Sequence, residues 1–257
     1  MSEVLTKAFT LLNFLKPRDG CSEWGAAELA RMAGLNHATT HRILQDMVKF
    51  GVVGQNHMNK KFHLGPALVE LGFLAGGLFS IRDVVRPFMD ELSSMTRESI
   101  YLNIVVNERE ALVIDAIDSD HQLRIVEPLG LRLPLHIGAM RRVILAFLNK
   151  EKQEDYFAHC AWIPRTKNTL TNEADVRKDM EKIREQGYAI SFGETTIGTA
   201  GISVPIFGAD GVEGSISIVT PDTRMNEEKI EEYTDLLLKK SRIISDYLGG
   251  GIWLTRN

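Results

Sequence analysis

Residues 26–50 read AAELARMAGLNHATTHRILQDMVKF, which is two short amphipathic segments separated by a glycine. Gly34 supplies the tight turn, because glycine adopts a positive φ without steric cost. Asn36 follows where an N-cap belongs, so a second helix is expected to begin directly after it. The apolar side of the first segment consists of Ala27, Leu29, Ala30 and Met32. This pattern predicts a helix-turn-helix.

The second helix of the pair has one inward side and one mostly polar side. At helical spacing the inward residues are Thr40, Ile43, Leu44, Met47 and Val48. The opposite side consists of His37, Ala38, Thr39, His41, Arg42 and Gln45. Such a helix can lie in the major groove of DNA with its first turns against base edges. An ordinary helical hairpin would have the same glycine turn, so the sequence that follows decides between the two.

Two short β-prone runs follow, at residues 51–55 and 62–65, and NHMNKK connects them. Their length and turn chemistry predict a hairpin, and a hairpin directly after a recognition helix is a wing. The tip of this wing is expected to present Asn56, His57, Asn59, Lys60 and Lys61 to backbone phosphates or to a minor groove. We therefore predict a winged helix-turn-helix in which Lys60 and Lys61 contact phosphates.

Composition and charge agree with a regulator that binds DNA through one module. The 257 residues predict about two domains, and 44% apolar with 25% charged residues is typical of a soluble globular protein. No apolar run approaches the roughly 18 residues of a membrane span, and the amphipathic start is expected to be a first helix. The net charge is −4, but residues 1–80 contain eight Lys and Arg against six Asp and Glu. The net charge of this segment, +2, is too small for a single module to bind DNA tightly, so we expect paired modules.

Only two cysteines occur, Cys21 and Cys160, and they fall in different predicted domains. There is no CxxC motif and no disulfide framework, which favours a reducing, cytoplasmic location. The pair His37 and His41 has the spacing of a metal clip, but no third ligand is near, so we expect no metal. We also expect no cofactor.

The middle of the chain connects two domains through a helix. Residues 66–80 have leucines at helical spacing, namely Leu68, Leu71, Leu74 and Leu78. We predict a linker helix whose exposed apolar side is available to a neighbouring subunit, followed by a helix over 81–97. The predicted domains are 1–65 for DNA binding, 66–80 for the linker helix and 81–250 for effector binding.

From Ser99 onward the hydrophobic period becomes two, which indicates strands. IYLNIVVN and ALVIDAID predict a hairpin, and LRIVEP and LPLH predict two further extended runs. Helices are expected over 139–148, 151–159 and 173–186. The strands YAISF, AGISVPIF and GSISIVT and a terminal helix over 226–248 complete the domain. Antiparallel strands with helices inserted between them predict an α+β sensor-type domain.

Four ordered stretches resemble the IclR family of bacterial transcriptional regulators: residues 29–44, 130–146, 186–198 and 204–211. The resemblance implies an N-terminal winged helix-turn-helix, joined by a linker helix to a GAF-like α/β effector-binding domain with an antiparallel sheet. It also implies a homodimer or a dimer of dimers, and an organic acid or related metabolite as effector. The chain departs from the family at Arg141-Arg142, where a Gly-Lys pair is usual. It departs also at Gly201, where Cys or a small polar residue is frequent, and at Ala38, where Ser is usual.

The chemistry of the residues around 136–140 also indicates where an effector would bind. The loop 136–140 ends in a helix N-terminus, whose free N–H groups favour a carboxylate, and we expect that group to dock on the amides of Ala139 and Met140. A neutral aldehyde or lactone would also fit, and Arg124 or Arg141 could neutralise an acid, although either is more often a surface ion pair. Under the family topology, Thr199, Gly201 and Ser217 lie on strands that flank the cavity. Ser191 and Glu194 lie on the loop that would cover it. The predicted set is Gly138, Ala139, Met140, Ser191, Glu194, Thr199, Gly201 and Ser217.

No constellation in the sequence predicts catalysis. Ser203 and Ser217 have no plausible His-acid partners, and the acidic clusters have the composition of solvated loops. We therefore predict a DNA-binding regulator of a metabolic operon that is not an enzyme, binding duplex DNA at a palindromic operator. The alternative is a small-molecule-binding enzyme or storage protein with an incidental helical hairpin. Salt-dependent binding to a palindromic duplex separates the two, because only the regulator requires it.

Overall fold

The computed structural model describes residues 3–17, 21–74 and 77–250, and for residues 72–74 and 77–80 it describes the backbone alone. The chain divides into two compact units, Met1–Phe79 and Ser80–Asn257.

The first unit is a small helical domain with a two-stranded hairpin. Its elements are α1 (Glu3–Phe14), α2 (Ala26–Ala33), α3 (His37–Lys49), β1 (Val53–Gln55), β2 (Phe62–Leu64) and α4 (Ala67–Leu74). The two strands pair antiparallel, with Val53 opposite Leu64. The core joins the helices to the hairpin and consists of Leu11, Leu15, Trp24, Leu29, Ile43, Leu44, Met47, Val53 and Phe62. The predicted winged helix-turn-helix is confirmed.

The local signals of the helix-turn-helix act as expected. Gly34 adopts φ 64°, and the Asn36 side chain accepts a hydrogen bond from the amide of Ala38 at 2.8 Å. On α3 the inward residues Thr40, Ile43, Leu44 and Met47 are buried, and Val48 is half-buried. The prediction for Ala27 is wrong, because this side chain is exposed. The buried stripe of α2 begins instead at Ala26, three residues before Leu29, which is the helical interval.

Within the described residues, the second unit has six strands, five α-helices and a short 3-10 helix (Asp222–Arg224). The helices are α5 (Gly77–Thr96), α6 (Ala139–Phe147), α7 (Lys150–His159), α8 (Glu173–Gln186) and α9 (Glu227–Tyr247). The strands are β3 (Ser99–Val106), β4 (Glu110–Ile117), β5 (Arg132–Pro134), β6 (Ala189–Phe192), β7 (Thr199–Gly208) and β8 (Gly211–Pro221). They form one antiparallel sheet in the order β5-β4-β3-β8-β7-β6. This confirms the α+β prediction.

The two faces of the sheet differ in chemistry, because alternate residues of a strand point to opposite sides. One face is apolar and belongs to a core with residues of α5 and α9, including Ile100, Leu102, Ile202, Val204, Ile216, Ile218, Met89, Leu92, Leu237 and Ile244. The other face has buried polar residues at the alternate positions, namely Asn103, Ser203, Ser215 and Ser217. Helix α6 packs against β3, β7 and β8. The polar face under α6 is where the predicted effector site lies.

One predicted strand is absent from the described residues. The run LRIVEP, residues 123–128, adopts no strand. The carbonyl of Ile125 accepts hydrogen bonds from the hydroxyls of Ser99, at 2.8 Å, and Tyr101, at 3.0 Å. Side chains of β3 thus bond a carbonyl that would otherwise accept a hydrogen bond from a neighbouring strand. In addition, Pro128 has no N–H to donate to such a strand. These two hydrogen bonds attach the run to the first residues of β3.

The predicted linker helix over 66–80 corresponds to α4 and the start of α5. Ala75 and Gly76 lie outside the described residues, as do the side chains of Leu74 and Leu78 from the predicted apolar stripe. Of the remaining leucines, Leu68 is half-buried and Leu71 is 59% exposed. The predicted helix over 81–97 begins earlier, because α5 starts at Gly77 and contains Pro87.

Candidate DNA interface and effector site

The outward side of α3 is a polar surface, as the sequence predicted. His37, Ala38, His41 and Arg42 are exposed. The first turn of α3 contains no acidic side chain, so the positive end of its dipole faces solvent uncompensated. These residues line a shallow concave surface together with Gln45, Asp46 and Lys49. A concave surface with these polar side chains can accept the edges of bases.

Two of the predicted contact residues on α3 are less free than the others. Thr39 is half-buried. Gln45 is half-buried as well, and its side-chain amide donates a hydrogen bond to Gln55 of β1 at 3.1 Å. Gln45 therefore holds the wing against α3 in addition to any contact it makes with DNA.

The wing is fastened to the rest of the domain by Glu23. The side-chain amides of Asn56 and Asn59 donate to the Glu23 carboxylate at 2.9 and 2.7 Å. The hydrogen bonds from Asn59 and Asn56 lower the pKa of Glu23. Both asparagine side chains thus have a carboxylate partner within the domain, and their contact with DNA stays a prediction.

The tip of the wing itself is open to solvent. Lys60 and Lys61 are exposed, as is His57. Lys60 adopts φ 59°, a left-handed conformation that closes the turn. Met58 is 93% exposed at the apex. The sequence analysis did not single out Met58, although an apolar residue in the middle of a polar hairpin loop is a signal that could have identified it.

In the second unit, the N-terminus of α6 is capped by residues distant in sequence. Gly138 precedes the helix with φ 73°, a conformation that favours glycine. Its amide donates to the Glu194 carboxylate at 3.3 Å, and the amide of Ala139 donates to Ser191 Oγ at 3.0 Å. Ser191 lies in β6 and not on a covering loop as expected. The Ala139 amide, predicted to bind a carboxylate, thus already has a partner.

Glu194 belongs to a buried ion-pair network. Both terminal nitrogens of Arg142 donate to its carboxylate, at 2.6 and 2.8 Å, and Arg142 Nε donates to Asp179 at 2.5 Å. Burial alone would lower the pKa of Arg142, but Glu194 and Asp179 hold it above its ordinary value. As expected, Glu194 lies on a loop, the one between β6 and β7, but its carboxylate is buried and bonded to residues at the start of α6.

His136 lies beside this network and is fully buried. Its Nδ1 is 2.6 Å from the hydroxyl of Tyr156. Burial, with a smaller contribution from Arg142, lowers the pKa of His136 to about 4. The imidazole is therefore neutral at physiological pH.

The polar face of the sheet meets α6 at Met140. Ser215 Oγ donates to the carbonyl of Met140 at 2.6 Å, and Asn103 Nδ2 lies 3.5 Å from its sulfur. Ser217 accepts a hydrogen bond from Ser203 at 2.7 Å. Ser217 is among the residues predicted from the sequence, whereas Asn103 and Ser215 are not, although strand alternation assigns them to the same face.

The other predicted residues of β7 have separate environments. Gly201 lies opposite Ser191, and a Cβ atom there would lie 3.9 Å from Ser191 Oγ and 3.6 Å from Val219. Gly201 thus borders the same region as Ala139. Thr199 instead donates to the carbonyl of Thr196 at 2.7 Å, so its hydroxyl proton is used in a turn.

The two arginines considered for neutralising an acid differ completely. Arg124 is exposed, whereas Arg141 is 0% exposed. Arg141 Nη2 donates to Glu127 at 2.8 Å, and the backbone amide of Glu127 donates to the hydroxyl of Tyr101 at 2.9 Å. The expectation of a surface ion pair is wrong for Arg141, because its pair with Glu127 is buried.

An apolar cavity of about 310 Å³ lies nearby in the second unit. Its lining includes Leu133, Ile137, Tyr156, Cys160 and Ile163. It provides a second possible location for a small molecule.

Two further observations concern the part of the chain that the structure describes. Within it, no group of three or more His, Cys, Asp or Glu residues could hold a metal ion, and both cysteines are free thiols. None of its helices has the length and apolar character that crossing a membrane requires.

Comparisons with known proteins agree with both units. Residues 4–57 match the IclR helix-turn-helix domain, and residues 78–246 match the bacterial transcriptional regulator IclR C-terminal domain. The HTH-type transcriptional regulator KdgR of Dickeya chrysanthemi is 32% identical over 231 residues, which cover 88% of this chain and 74% of that protein.

Solved structures also resemble the chain. The crystal structure of Thermotoga maritima IclR has a TM-score of 0.75 at 29% identity, covering 97% of this chain and 100% of that one. An IclR homolog from Microbacterium hydrocarbonoxydans, complexed with 4-hydroxybenzoate, has a TM-score of 0.83 at 22% identity, covering 96% and 99% of the two chains. At that identity the second likeness concerns the fold alone.

A winged helix-turn-helix followed by a separate antiparallel α/β unit defines a DNA-binding regulator that carries its own sensor domain. The chain belongs to the IclR family of bacterial transcriptional regulators. It is a DNA-binding transcriptional regulator with a C-terminal effector-binding domain.

Proposed function

We propose that this regulator binds a palindromic operator as a homodimer or a dimer of dimers, and that an organic acid in the C-terminal domain modulates its affinity for DNA. The observation that carries the proposal is the outward side of α3, which presents His37, His41 and Arg42 to solvent beside a wing that ends in two exposed lysines. The chain is proposed to act on a metabolic operon, in the cytoplasm, as a regulator and not as an enzyme.

Direct readout and phosphate binding are divided between α3 and the wing. Arg42 and Thr39 are proposed to read bases, because a guanidinium or a hydroxyl can bond base edges in the major groove. Lys60 and Lys61 are proposed to bind phosphates, which adds affinity without sequence preference. The contribution of each group is therefore separable by experiment.

The test begins with an operator selected from a random duplex library and measures binding at several salt concentrations. Replacing Lys60 and Lys61 with Ala should weaken binding to all sequences and flatten the salt slope by about 0.9 for each lost phosphate contact. Arg42→Ala should cost about 1–3 kcal/mol and relax one operator position. A matched control replaces Lys167 and Lys178, two exposed lysines of the second unit. An unchanged salt slope in the Lys60/Lys61 variant would contradict the wing assignment.

Pairing of two modules is proposed to involve α4. Val69 is 74% exposed and Leu71 is 59% exposed on this short helix. Half-sites lie about one helical turn apart, so the two modules need a defined spacing. Leu71→Glu should reduce both the sedimentation coefficient and operator affinity, while Glu70→Gln on the same helix serves as control. If Leu71→Glu sediments and binds as the wild type does, α4 is only a tether.

The proposed effector is an acid for two reasons. The start of α6, with its positive dipole end, faces a buried polar side of the sheet. In addition, the Microbacterium hydrocarbonoxydans homolog was crystallised with 4-hydroxybenzoate, which is a carboxylate. The predicted residues Gly138, Ala139, Met140, Ser191, Glu194, Thr199, Gly201 and Ser217 remain candidates for this site.

The experiment is a titration of the operator complex with small carboxylates. A ligand alters DNA affinity only through its differential affinity for two states of the protein, and typical coupling is about 1–3 kcal/mol. We expect a shift of roughly 5- to 150-fold in operator affinity for at least one acid. No shift with any acid would contradict the effector class without affecting the proposal of operator binding.

A further inference from the structure

Arg141 is a fully buried cation whose hydrogen-bonding capacity is only partly used. Its Nη2 donates to Glu127 at 2.8 Å, and the side chain is 0% exposed. Within the described residues, Nε and Nη1 have no hydrogen-bond partner. A guanidinium has five N–H groups, so Nε and Nη1 together leave three of them unsatisfied. Buried donors without partners are costly, and in native proteins they call for an explanation.

The neighbouring arginine shows that this is not a general feature of the helix. Arg142 is also buried, but its three nitrogens bond Glu194, Asp179 and the carbonyl of His136. Arg142 is therefore a structural residue with its donors occupied.

The residue before Arg141, Met140, lies among buried apolar side chains and next to another unsatisfied polar atom. Met140 packs with Tyr101, Val113 and Val219, and Ile125 lies against the same cluster. Asn103 contacts Met140, and its Oδ1 is a second buried polar atom that lacks a partner among the described residues. The start of α6 thus has unsatisfied donors on Arg141 and, at the neighbouring Met140, an unsatisfied acceptor on Asn103 of β3.

The amides of Gly138 and Ala139, by contrast, are not free to bind a carboxylate. The amides of Gly138 and Ala139 already donate to Glu194 and Ser191. A carboxylate that docked on them would have to displace both side chains. A carboxylate that docked on Arg141 would satisfy donors that otherwise stay unpaired.

We propose that Arg141 is the anion-binding residue of the effector site. Its Nε and Nη1 groups donate to the carboxylate of the ligand, while Glu127 holds Nη2 and orients the guanidinium plane. Bonds from a guanidinium to a carboxylate are short, strong and directional, which selects an acid over its amide. This inference rests on the proposed effector function, and it replaces the amide of Ala139 by Arg141 as the group that recognises charge.

The test compares thermal unfolding of the full chain with and without carboxylates. The probes are benzoate, 4-hydroxybenzoate, butanoate and lactate, each paired with its uncharged amide. The wild type should be stabilised by at least one acid and not by the matching amide. Removing Arg141 alone would strand the buried Glu127 carboxylate, so the variant is Arg141→Met with Glu127→Gln.

The double variant separates a ligand role from a structural one. Replacing both members of a buried ion pair is often neutral or stabilising, so its melting temperature without ligand should equal or exceed that of the wild type. Its dissociation constant for the stabilising acid, measured by calorimetry, should rise by about tenfold or more. Arg124→Met removes an exposed arginine from the same stretch and should retain the full shift.

Several results would overturn the assignment. One is a double variant that keeps the acid-induced shift, since the acid then binds elsewhere, for example in the cavity beside Cys160. Another is a wild type that no acid stabilises. A third is a double variant that melts well below the wild type, which would make the Arg141–Glu127 pair structural. Failure of the wild type to bind any operator would refute the proposed function instead, and the acid titration would still report on Arg141.

Discussion

Helices α3 and α6 differ in how the first amides of each helix find hydrogen-bond partners. The first amides of any helix have no partner within the helix. At α3 the Asn36 side chain accepts from an amide two residues later, and the whole arrangement is exposed. At α6 the partners are Ser191, which is half-buried, and Glu194, which is buried, and they lie 52 and 56 residues away.

The difference shows how function constrains a helix end. A recognition helix must leave its surface available to DNA, so a short local cap suffices. The start of α6 is buried, and its polar groups need defined partners because water is excluded. The buried end is therefore expected to have the larger effect on stability, and the following experiments test that expectation from the largest effect to the smallest.

Glu194→Gln should have the largest effect, because it leaves the buried Arg142 guanidinium without its main counter-charge. Breaking a buried pair in this way typically costs about 3–5 kcal/mol. The measurement is the free energy of unfolding by urea. Asp155→Asn removes the partner of Arg109 in a pair that is nearly half exposed on both sides, and it should cost less than about 1 kcal/mol. Equal losses in the two variants would contradict the distinction between buried and exposed pairs.

Acid should destabilise the second unit through His136. Its pKa in the folded chain is about 4, against an ordinary value of 6.5. The unfolded chain therefore binds a proton as the pH falls through 6.5, while the folded chain binds none until about 4. Stability from this group is complete above 6.5, and between pH 7 and 5 its loss should be about 2 kcal/mol.

Unfolding free energies at the two pH values, for the wild type and for His136→Gln, provide the measurement. The variant should lose the pH dependence over this range, because glutamine does not titrate. A wild-type protein whose stability is constant from pH 7 to 5 would show that the imidazole is protonated in the fold or that it is accessible to solvent.

Ser191→Ala compares the two caps directly. It leaves the buried amide of Ala139 without an acceptor, and such a loss costs about 1–3 kcal/mol. Asn36→Ala removes the exposed cap of α3 and should cost about 1 kcal/mol. Calorimetric melting of each unit gives both numbers. A larger loss for Asn36→Ala would reverse the comparison.

Glu23→Ala should have the smallest effect on stability. It tests whether the contribution of a side-chain hydrogen bond to stability depends on the sequence separation of the partners or on their burial. Its bonds to Asn56 and Asn59 span 33 and 36 residues, but the carboxylate itself is solvent-accessible. We expect an unchanged melting temperature and a loss of operator affinity of less than about tenfold, because the wing is positioned less well. Glu28→Ala in the same domain is the control. A large drop in melting temperature would indicate that distance matters more than burial.

Much of the architecture followed from local patterns in the sequence. Helix-turn-helix spacing, the Gly34 turn and the Asn36 cap depend on residues within a few positions of each other, so α2 and α3 were predictable. Strand alternation likewise identified β3, β4, β6, β7 and β8. The exception, residues 123–128, has strand-like composition, but hydroxyls from β3 hold its backbone instead of a neighbouring strand.

By itself the sequence determined the class of fold, the outward side of α3 and the exposed lysines of the wing, because helix and strand periods report which side of an element is buried. Only the tertiary structure decided which polar groups are satisfied at the start of α6. Ser191, Glu194 and Glu127 reach that helix from distant parts of the chain, and nothing in their local sequence states a partner. Arg141 and Arg142 are adjacent and chemically identical, yet the fold encloses one among carboxylates and leaves the other with unused donors. Burial creates this difference, since in water both guanidinium groups would be satisfied equally.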